Sequence, residues 1–591
     1  MALGRLVLAP PRAGQLATAG LGDPDGVELY HRTYTTLLRS SGETHLRVLE
    51  PSHRAMRASL HTMADDEQLD LGALLYALRR LPDGIVAAEL LLMGQSEDVF
   101  AAAGIDLSGW QGVEAVARRR RWYDSGDGTL AVLLASASDV DDLVPILVAF
   151  QIECNKLHAR LRASGGSELL DDPGPDECAD VLGGSADDWR ALARTWDERF
   201  AQRLRAIAGR RLDIRIRMLG GTHIGYARLT RQWWGSAHAC LAQQDLAGRP
   251  IYFVSSNTHS LANLVTGIAR EREGELVRFV ERDGAGELRA ELSAFRERRT
   301  PGSWENFLYF VARDYFDVDE QRSIERRQAE RAAGVTHLPA TTALRVPVQI
   351  IALERLQAAR LDPRLGEIDP ARLRASPAVI VNIDYPLGLA AYNILREVAI
   401  DVEDLRAVYL LGKAATLNAD VGDVMISNVV YDEHTGTTFW LDNAFQFDDI
   451  QPDLRFGTGL DNQRAVSVRS AFLQNRTYID FYYREAFTVL EMEAGPYCSA
   501  IYEIAELERH PVNQAVNFSK LPIDFGLIHY ASDTPYTQAR TLGARGLSYF
   551  GMDSTYAASL AILRRVLKLE AIQPPLGAHR AARATSSSRF R

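Results

Sequence analysis

Cysteine is scarce in this 591-residue chain. Cys154, Cys178, Cys240 and Cys498 are scattered and show no CxxC spacing. That pattern excludes a disulfide framework and a zinc knuckle, and points to reduced thiols in a cytoplasmic protein. Long apolar runs are also missing: none approaches the length of a membrane span. Positive charge is not in excess, since 66 Lys and Arg face 77 Asp and Glu, for a net charge of -11. This balance argues against nucleic acid as a partner. The first residues carry Arg5 and Arg12 within a short apolar stretch and lack the continuous core of a signal peptide. What remains is 47% hydrophobic and 24% charged, the composition of a soluble globular protein too long for one ordinary core.

The pattern along the chain divides it into blocks. Residues 1–27, rich in Gly, Ala and Pro, read as a disordered leader. An N-terminal α/β or α+β region follows over 28–165, with a helix over 69–81, strands over 84–93 and 129–136, and a long helix over 140–161. The Pro- and acid-rich stretch 165–184 reads as a linker. A second, largely helical α/β region covers 185–340, with a helix over 187–208, strands over 212–219 and 250–254, and a helix starting near Thr258. Residues 363–377 form a second punctuated connector. The third block, 378–571, is an α/β domain, and 573–591 is a basic, Ser-rich disordered tail.

The third block holds the residues with chemical potential. The β-branched run 378–383 predicts a buried parallel strand leading into Asp384-Tyr385-Pro386-Leu387-Gly388. A strand over 408–411 leads into a loop at Gly412-Lys413. A late strand over 525–531 delivers Ser532-Asp533, and 556–569 is a closing helix. Sites in such sheets lie beyond the carboxyl ends of the strands, where Asp384, Gly412 and Asp533 all fall. Between them lies Glu491-Met492-Glu493-Ala494, read as helical.

Three segments resemble the superfamily of purine nucleoside phosphorylases and methylthioadenosine nucleosidases. VLEMEAGPYCSAIYEIAE (489–506) looks like its VEMEA helix. YLLGKAATLNADVGDVMIS (409–427) resembles its strand, GSxG loop and following strand, and LIHYASD (527–533) its late strand ending in Ser-Asp. The resemblance covers about 378–570 and implies a three-layer α/β fold, cleavage of a purine N-glycosidic bond, no metal or organic cofactor, and a homo-oligomer. It makes Asp533 the acid that protonates the purine and Glu493 the carboxylate that reads the ribose hydroxyls. Substrate contacts fall to Glu491, Met492, Ser532 and an aromatic at Phe472. Lys413, Gly412 and Asp384 take the phosphate or nucleophile side. The chemistry needs such groups, because protonating the base improves the leaving group by ~10²–10⁴-fold and negative charge favours an oxocarbenium-like sugar.

Two departures bear on the nucleophile, which is water or phosphate. Gly388 and Leu410 stand where the resemblance calls for phosphate-binding arginines, and Lys413 stands in place of a serine. Without guanidinium forks a phosphate dianion is poorly held, so hydrolysis is the favoured expectation over phosphorolysis. A rival reading is a catalytically silent nucleoside or nucleotide sensor with an N-terminal effector region. Elsewhere His529 reads as a satisfied core histidine, and Arg118–Arg121 as a solvated basic patch beside Trp122 and Tyr123.

Overall fold

Strand pairing in the computed structural model crosses the block boundaries expected from the sequence. It describes residues 24–40, 42–164, 174–284, 286–506, 509–518, 520–534 and 549–573, and these form a mixed α/β structure with two sheets. The first sheet contains β1 (Thr44–His45), β2 (Leu90–Gly94), β3 (Gln111–Ala115), β4 (Arg118–Asp124), β5 (Thr129–Leu133) and β6 (Arg215–Met218), in the order β1-β6-β2-β5-β4-β3.

The second sheet takes all later strands. These are β7 (Ile251–Ser256), β8 (Val335–Leu338), β9 (Val348–Ala352), β10 (Val379–Asp384), β11 (Leu405–Thr416), β12 (Val424–Asp432), β13 (Thr437–Trp440), β14 (Gly459–Ser467), β15 (Val489–Glu491), β16 (Ala515–Asn517) and β17 (Asp524–Asp533). Their order is β16-β13-β12-β14-β15-β11-β7-β10-β9-β8, with β17 paired to β11 and β12.

The boundary expected between 340 and 378 therefore does not separate two sheets. β7 pairs in parallel with β10 on one side and β11 on the other, and β9 pairs antiparallel with β10 across residues 363–377. The physical reason is burial. Every residue of β7 is buried, and a parallel strand covered on both faces requires hydrogen-bonding neighbours from distant sequence. Asn382, fully buried in β10, ties the three strands together. Its amide donates to Gln349 Oε1 (2.7 Å) and Asn257 O (2.8 Å), while its Oδ1 accepts from Ser256 Oγ (2.8 Å).

Helices cover both faces of this sheet. His223–Gln243, Leu389–Asp401 and Ala494–Ala505 pack on one face, and Ser260–Thr266, Trp304–Asp317 and Tyr549–Leu569 on the other. The first sheet is not an independent body. One apolar cluster joins Leu74, Trp122, Val144 and Leu147 to Val466, Phe472 and Leu490, each such burial being worth roughly 1.5–3 kcal/mol.

Several local expectations change. Residues 83–87 form a 3-10 helix, so only Leu90–Gly94 of the 84–93 run is strand; a short apolar run does not distinguish the two. Within 165–184, residues 165–173 lie outside the described residues, and Pro175–Leu182 is a helix, Pro at its first turn, burying Cys178 and Leu182. Of the expected leader, 1–23 lie outside the described residues and 24–27 begin the Pro24–Ser40 helix. The tail 574–591 also lies outside them. Among the described residues no helix is long and apolar enough to cross a membrane.

Candidate active site

The carboxyl ends of β11, β15 and β17 meet the first sheet around a cavity of about 460 Å³. Six of the residues expected from the sequence line it: Glu491 at the end of β15 with Met492 and Glu493 just after it, Ser532 and Asp533 at the end of β17, and Lys413 in β11. Their backbone setting differs from the expectation in two places. Glu491 ends a strand and Glu493 is the N-cap of the Ala494–Ala505 helix, so Glu-Met-Glu is a strand-to-helix turn rather than helix. Gly412 and Lys413 lie inside β11, paired with His529 and Tyr530 of β17, rather than in a loop. Strand alternation then leaves Lys413 exposed on the cavity wall between the buried Gly412 and Ala414.

The two glutamates are not equivalent. Glu491 is held from all sides: its Oε2 accepts from the backbone N–H groups of Glu493 and Ala494 at 2.7 Å each, and its Oε1 from the Ser467 hydroxyl. It therefore caps the helix that follows. Glu493 receives only longer bonds, from the N–H of Gly388 (3.2 Å) and of Met492 (3.3 Å). Burial raises the pKa of both carboxyls, and the Glu491 charge raises that of Glu493 further, while Arg118 acts in the opposite direction. On β17, the Ser532 hydroxyl donates to Asp533 Oδ2 at 2.7 Å and orients that carboxyl. His529 is fully buried behind Glu491, 3.8 Å from its Oε2. Its ring nitrogens have no hydrogen-bond partner among the described residues, and burial lowers its pKa to about 3. It is a neutral core histidine, though not a satisfied one.

Three expected residues do not reach the cavity. Phe472 packs edge-on against Tyr76 (5.3 Å) and near His53 (6.1 Å) in the core shared with the first sheet, so it is a packing residue. Asp384 pairs with Arg119 instead of facing the cavity. Gly412 is needed for packing: a Cβ there would lie 1.6 Å from the Tyr385 hydroxyl. Tyr385, which no local sequence signal marks as a site residue, lines the cavity through that close approach. Burial and then the Glu493 charge hold its phenol well above the ordinary range.

The basic run 118–121 is the largest correction. It forms the body of β4, and Arg120 is 5% exposed. Arg118 grips Asp142 with Nε (2.9 Å) and Nη2 (2.8 Å). Arg120 reaches Asp139 (2.8 Å) and Asp142 (2.6 Å). Arg118 and Arg120 thus form a buried ion-pair network with acids of the Ala137–Ala163 helix, while strand alternation leaves Arg119 exposed and Arg121 half-buried, paired with Asp384 and Glu97. Arg118, Arg119 and Arg120 line the cavity together with Tyr76 and Arg80. Nothing in the local pattern of Arg118–Arg121 marks this, because the acids that bury it lie on the next helix.

The same helix shapes the Glu493 side. Ser138 Oγ accepts from Leu389 N (2.9 Å) and lies 3.4 Å from His434 Nε2, whose Nδ1 is 2.9 Å from Asp432. Gly388, at φ +52, approaches Ser138 so closely that a Cβ would lie 2.3 Å from its Oγ. No larger side chain fits at 388, and Leu410 is buried in the sheet at 1% exposure. Among the described residues, no group of three or more His, Cys, Asp or Glu is placed to hold a metal ion.

Comparisons with known proteins give a family and weak structural likenesses. No curated protein matches the sequence. The structure is similar to a methylthioadenosine phosphorylase from an antarctic soil metagenomic library (10% identity, TM-score 0.26, 34% of this chain and 73% of that chain). It is also similar to the Neisseria meningitidis 5'-methylthioadenosine/S-adenosylhomocysteine nucleosidase in complex with methylthio-immucillin-A (12%, 0.26, 40% and 92%). A third likeness is to the Streptococcus pneumoniae MTA/SAH nucleosidase in complex with 8-aminoadenine (17%, 0.25, 32% and 82%). At this level of superposition the likenesses assign neither a fold nor an activity. The sequence match is broader, running over residues 46–568 and so through both sheets and the cavity between them. The chain belongs to the family of unknown function DUF6909.

Proposed function

We propose that this chain cleaves the N-glycosidic bond of a purine nucleoside or nucleotide, by hydrolysis in preference to phosphorolysis. The observation that supports the reading is the meeting of Glu493 and Asp533 on the wall of one cavity, delivered by separate strand ends. In the proposed reaction Asp533, oriented by Ser532, protonates a ring nitrogen of the base as the bond to the sugar lengthens. Glu493 accepts hydrogen bonds from the ribose hydroxyls, and its charge, acting in a buried site, stabilises the developing oxocarbenium ion. Met492 packs against the sugar. Glu491 acts one step removed, fixing the turn that carries Glu493.

Hydrolysis is preferred because positions 388 and 410 offer no guanidinium to phosphate: Ser138 closes the space at Gly388, and Leu410 is core. A homo-oligomeric assembly and a cytoplasmic site of action belong to the same proposal. The test is free-base release from a panel of purine nucleosides and nucleotides, with and without phosphate, and chromatography of the sugar product. The expected outcome is release in phosphate-free buffer, yielding ribose or ribose 5-phosphate. Ribose 1-phosphate formed only when phosphate is present would overturn the hydrolytic assignment. Binding without base release from any member would favour a silent sensor instead.

A further inference from the structure

The cavity wall carries cations that glycosidic cleavage alone does not use. Lys413 projects into it from β11 and forms no hydrogen bond or ion pair among the described residues. The first sheet and the helix before it supply Arg118 and Arg80 to the same lining. Arg118 is fixed by its bidentate grip on Asp142. Arg80 is 2% exposed, its guanidinium 3.4 Å from the centre of the Tyr76 ring, with Nη1 donating to Tyr76 O at 3.0 Å. Arg120, also in the lining, has its Nη1 buried with no hydrogen-bond partner among the described residues.

Arg118 is already paired with Asp142, and the acids on the same wall are largely committed elsewhere. Asp139 is occupied by Arg120 and by the N–H groups of Ala135 and Ser136, and Glu491 by its three donors. Among the carboxylates it is the Asp533 charge that acts on Lys413. Although its surface opens onto the cavity, the protein packed around Lys413 is the largest influence lowering its pKa; Asp533 opposes this, and the charges of Arg118, Arg80 and Arg79 lower it further. Cations gathered from separate elements around an open cavity repel one another, and an anion between them removes that repulsion.

Lys413 also has a compositional meaning. The chain has four lysines (Lys156, Lys413, Lys520 and Lys568) among its 66 basic residues. In a chain that otherwise uses arginine, the cavity holds the compact ammonium, a flexible point charge suited to phosphate oxygens beside the guanidinium groups of Arg118 and Arg80.

We propose that Lys413, Arg118 and Arg80 form a phosphate subsite, so that the region before residue 125 completes the cavity by binding a phosphate monoester or free phosphate. Assigning that phosphate to the 5′ position of a nucleotide substrate rests on the glycosidic reading above; the anion subsite itself does not. Three cations from the Leu71–Leu78 helix end, β4 and β11 suit the several oxygens of a dianion better than the two of a carboxylate.

The test is calorimetric titration of the full chain in phosphate-free buffer with inorganic phosphate, adenosine and adenosine 5′-monophosphate. Inorganic phosphate is expected to bind, more weakly at high salt. Lys413→Gln and Arg80→Gln should each weaken it about tenfold or more, the weight of one charge-assisted contact, and Arg80→Lys should recover part of the loss. Absence of phosphate binding by the unmodified chain, or equal binding by the folded variants, overturns the subsite. The nucleotide arm separates the two sources. Tighter binding of the monophosphate than of adenosine, with inorganic phosphate competing, assigns the 5′-phosphate. Equal binding of the two, strengthened by added phosphate, assigns free phosphate. Phosphate binding that the variants abolish, in a chain that neither binds nor cleaves either adenine compound, would uphold the subsite and sink the glycosidic reading.

Discussion

Asp142 offers the sharpest test of how the first sheet supports the cavity. It is 1% exposed and accepts three charge-assisted bonds, from Arg118 Nε (2.9 Å), Arg118 Nη2 (2.8 Å) and Arg120 Nη2 (2.6 Å). Asp142→Asn keeps the shape but leaves two largely buried guanidinium groups short of a counter-charge. Removing one partner of a buried pair costs about 3–5 kcal/mol. Arg120 retains Asp139, which places the expectation near the lower end. The assay is hydrogen exchange of the β4 amides, where a loss of about 3 kcal/mol lowers protection roughly a hundredfold or more. Arg190→Ala is the control: its partners Asp176 and Asp187 are 70% and 91% exposed, and such pairs are worth about 1 kcal/mol at most. The sign with pH follows. Burial opposes ionisation of Asp142, but Arg118 and Arg120 outweigh it and hold its pKa below the ordinary range. Its contribution is therefore complete above the unfolded value of about 3.9 and is lost as pH falls through the folded one. Protection in Asp142→Asn should lack that acid sensitivity. A loss no larger than that of Arg190→Ala would refute the reasoning.

Other expectations address the site directly. Asp533→Asn should lower release of an unactivated purine by about 10²–10⁴-fold while sparing a nucleoside with an activated leaving group; equal losses on both would remove Asp533 as the acid. Glu493→Gln should weaken turnover of ribonucleosides far more than of 2′-deoxynucleosides, measured as kcat/KM for each, and a uniform loss would make Glu493 a structural acid. Since burial raises the Glu493 pKa, its ionised form and the activity that depends on it should be lost as pH falls through a value above the ordinary glutamate range, visible in a pH–rate profile. Gly412→Ala should displace Tyr385 from the cavity and abolish ligand binding, with Tyr385→Ala in the same chain restoring part of it; unaltered binding by Gly412→Ala alone would contradict the close contact at 412.

The sequence by itself determined what depends on local pattern. The β-branched run of β10, the late strand ending in Ser532-Asp533 and the long helix of the first region follow from periodicity and burial preference. Bringing Glu493, Asp533, Met492 and Lys413 to one cavity takes the pairing itself: β17 runs parallel to β11, and the short β15 pairs antiparallel with the last residues of β11. What only the tertiary structure decided are the pairings between distant segments. β7 belongs to the same sheet as β10 because its hydrogen-bonding groups find partners there, which no local signal announces. Phe472 faces His53 and Tyr76 because the first region packs onto the second sheet. The run at 118–121 reads as solvated until Asp139 and Asp142 are set beside it, since a row of arginines carries no mark of its counter-charges. Arg80 and Arg118, on which the proposed phosphate subsite draws, line the cavity only because the first region packs onto the second sheet. Charge is a property of residue type, but whether it is exposed, paired or aimed at a ligand depends on what the fold places within a few ångströms of it.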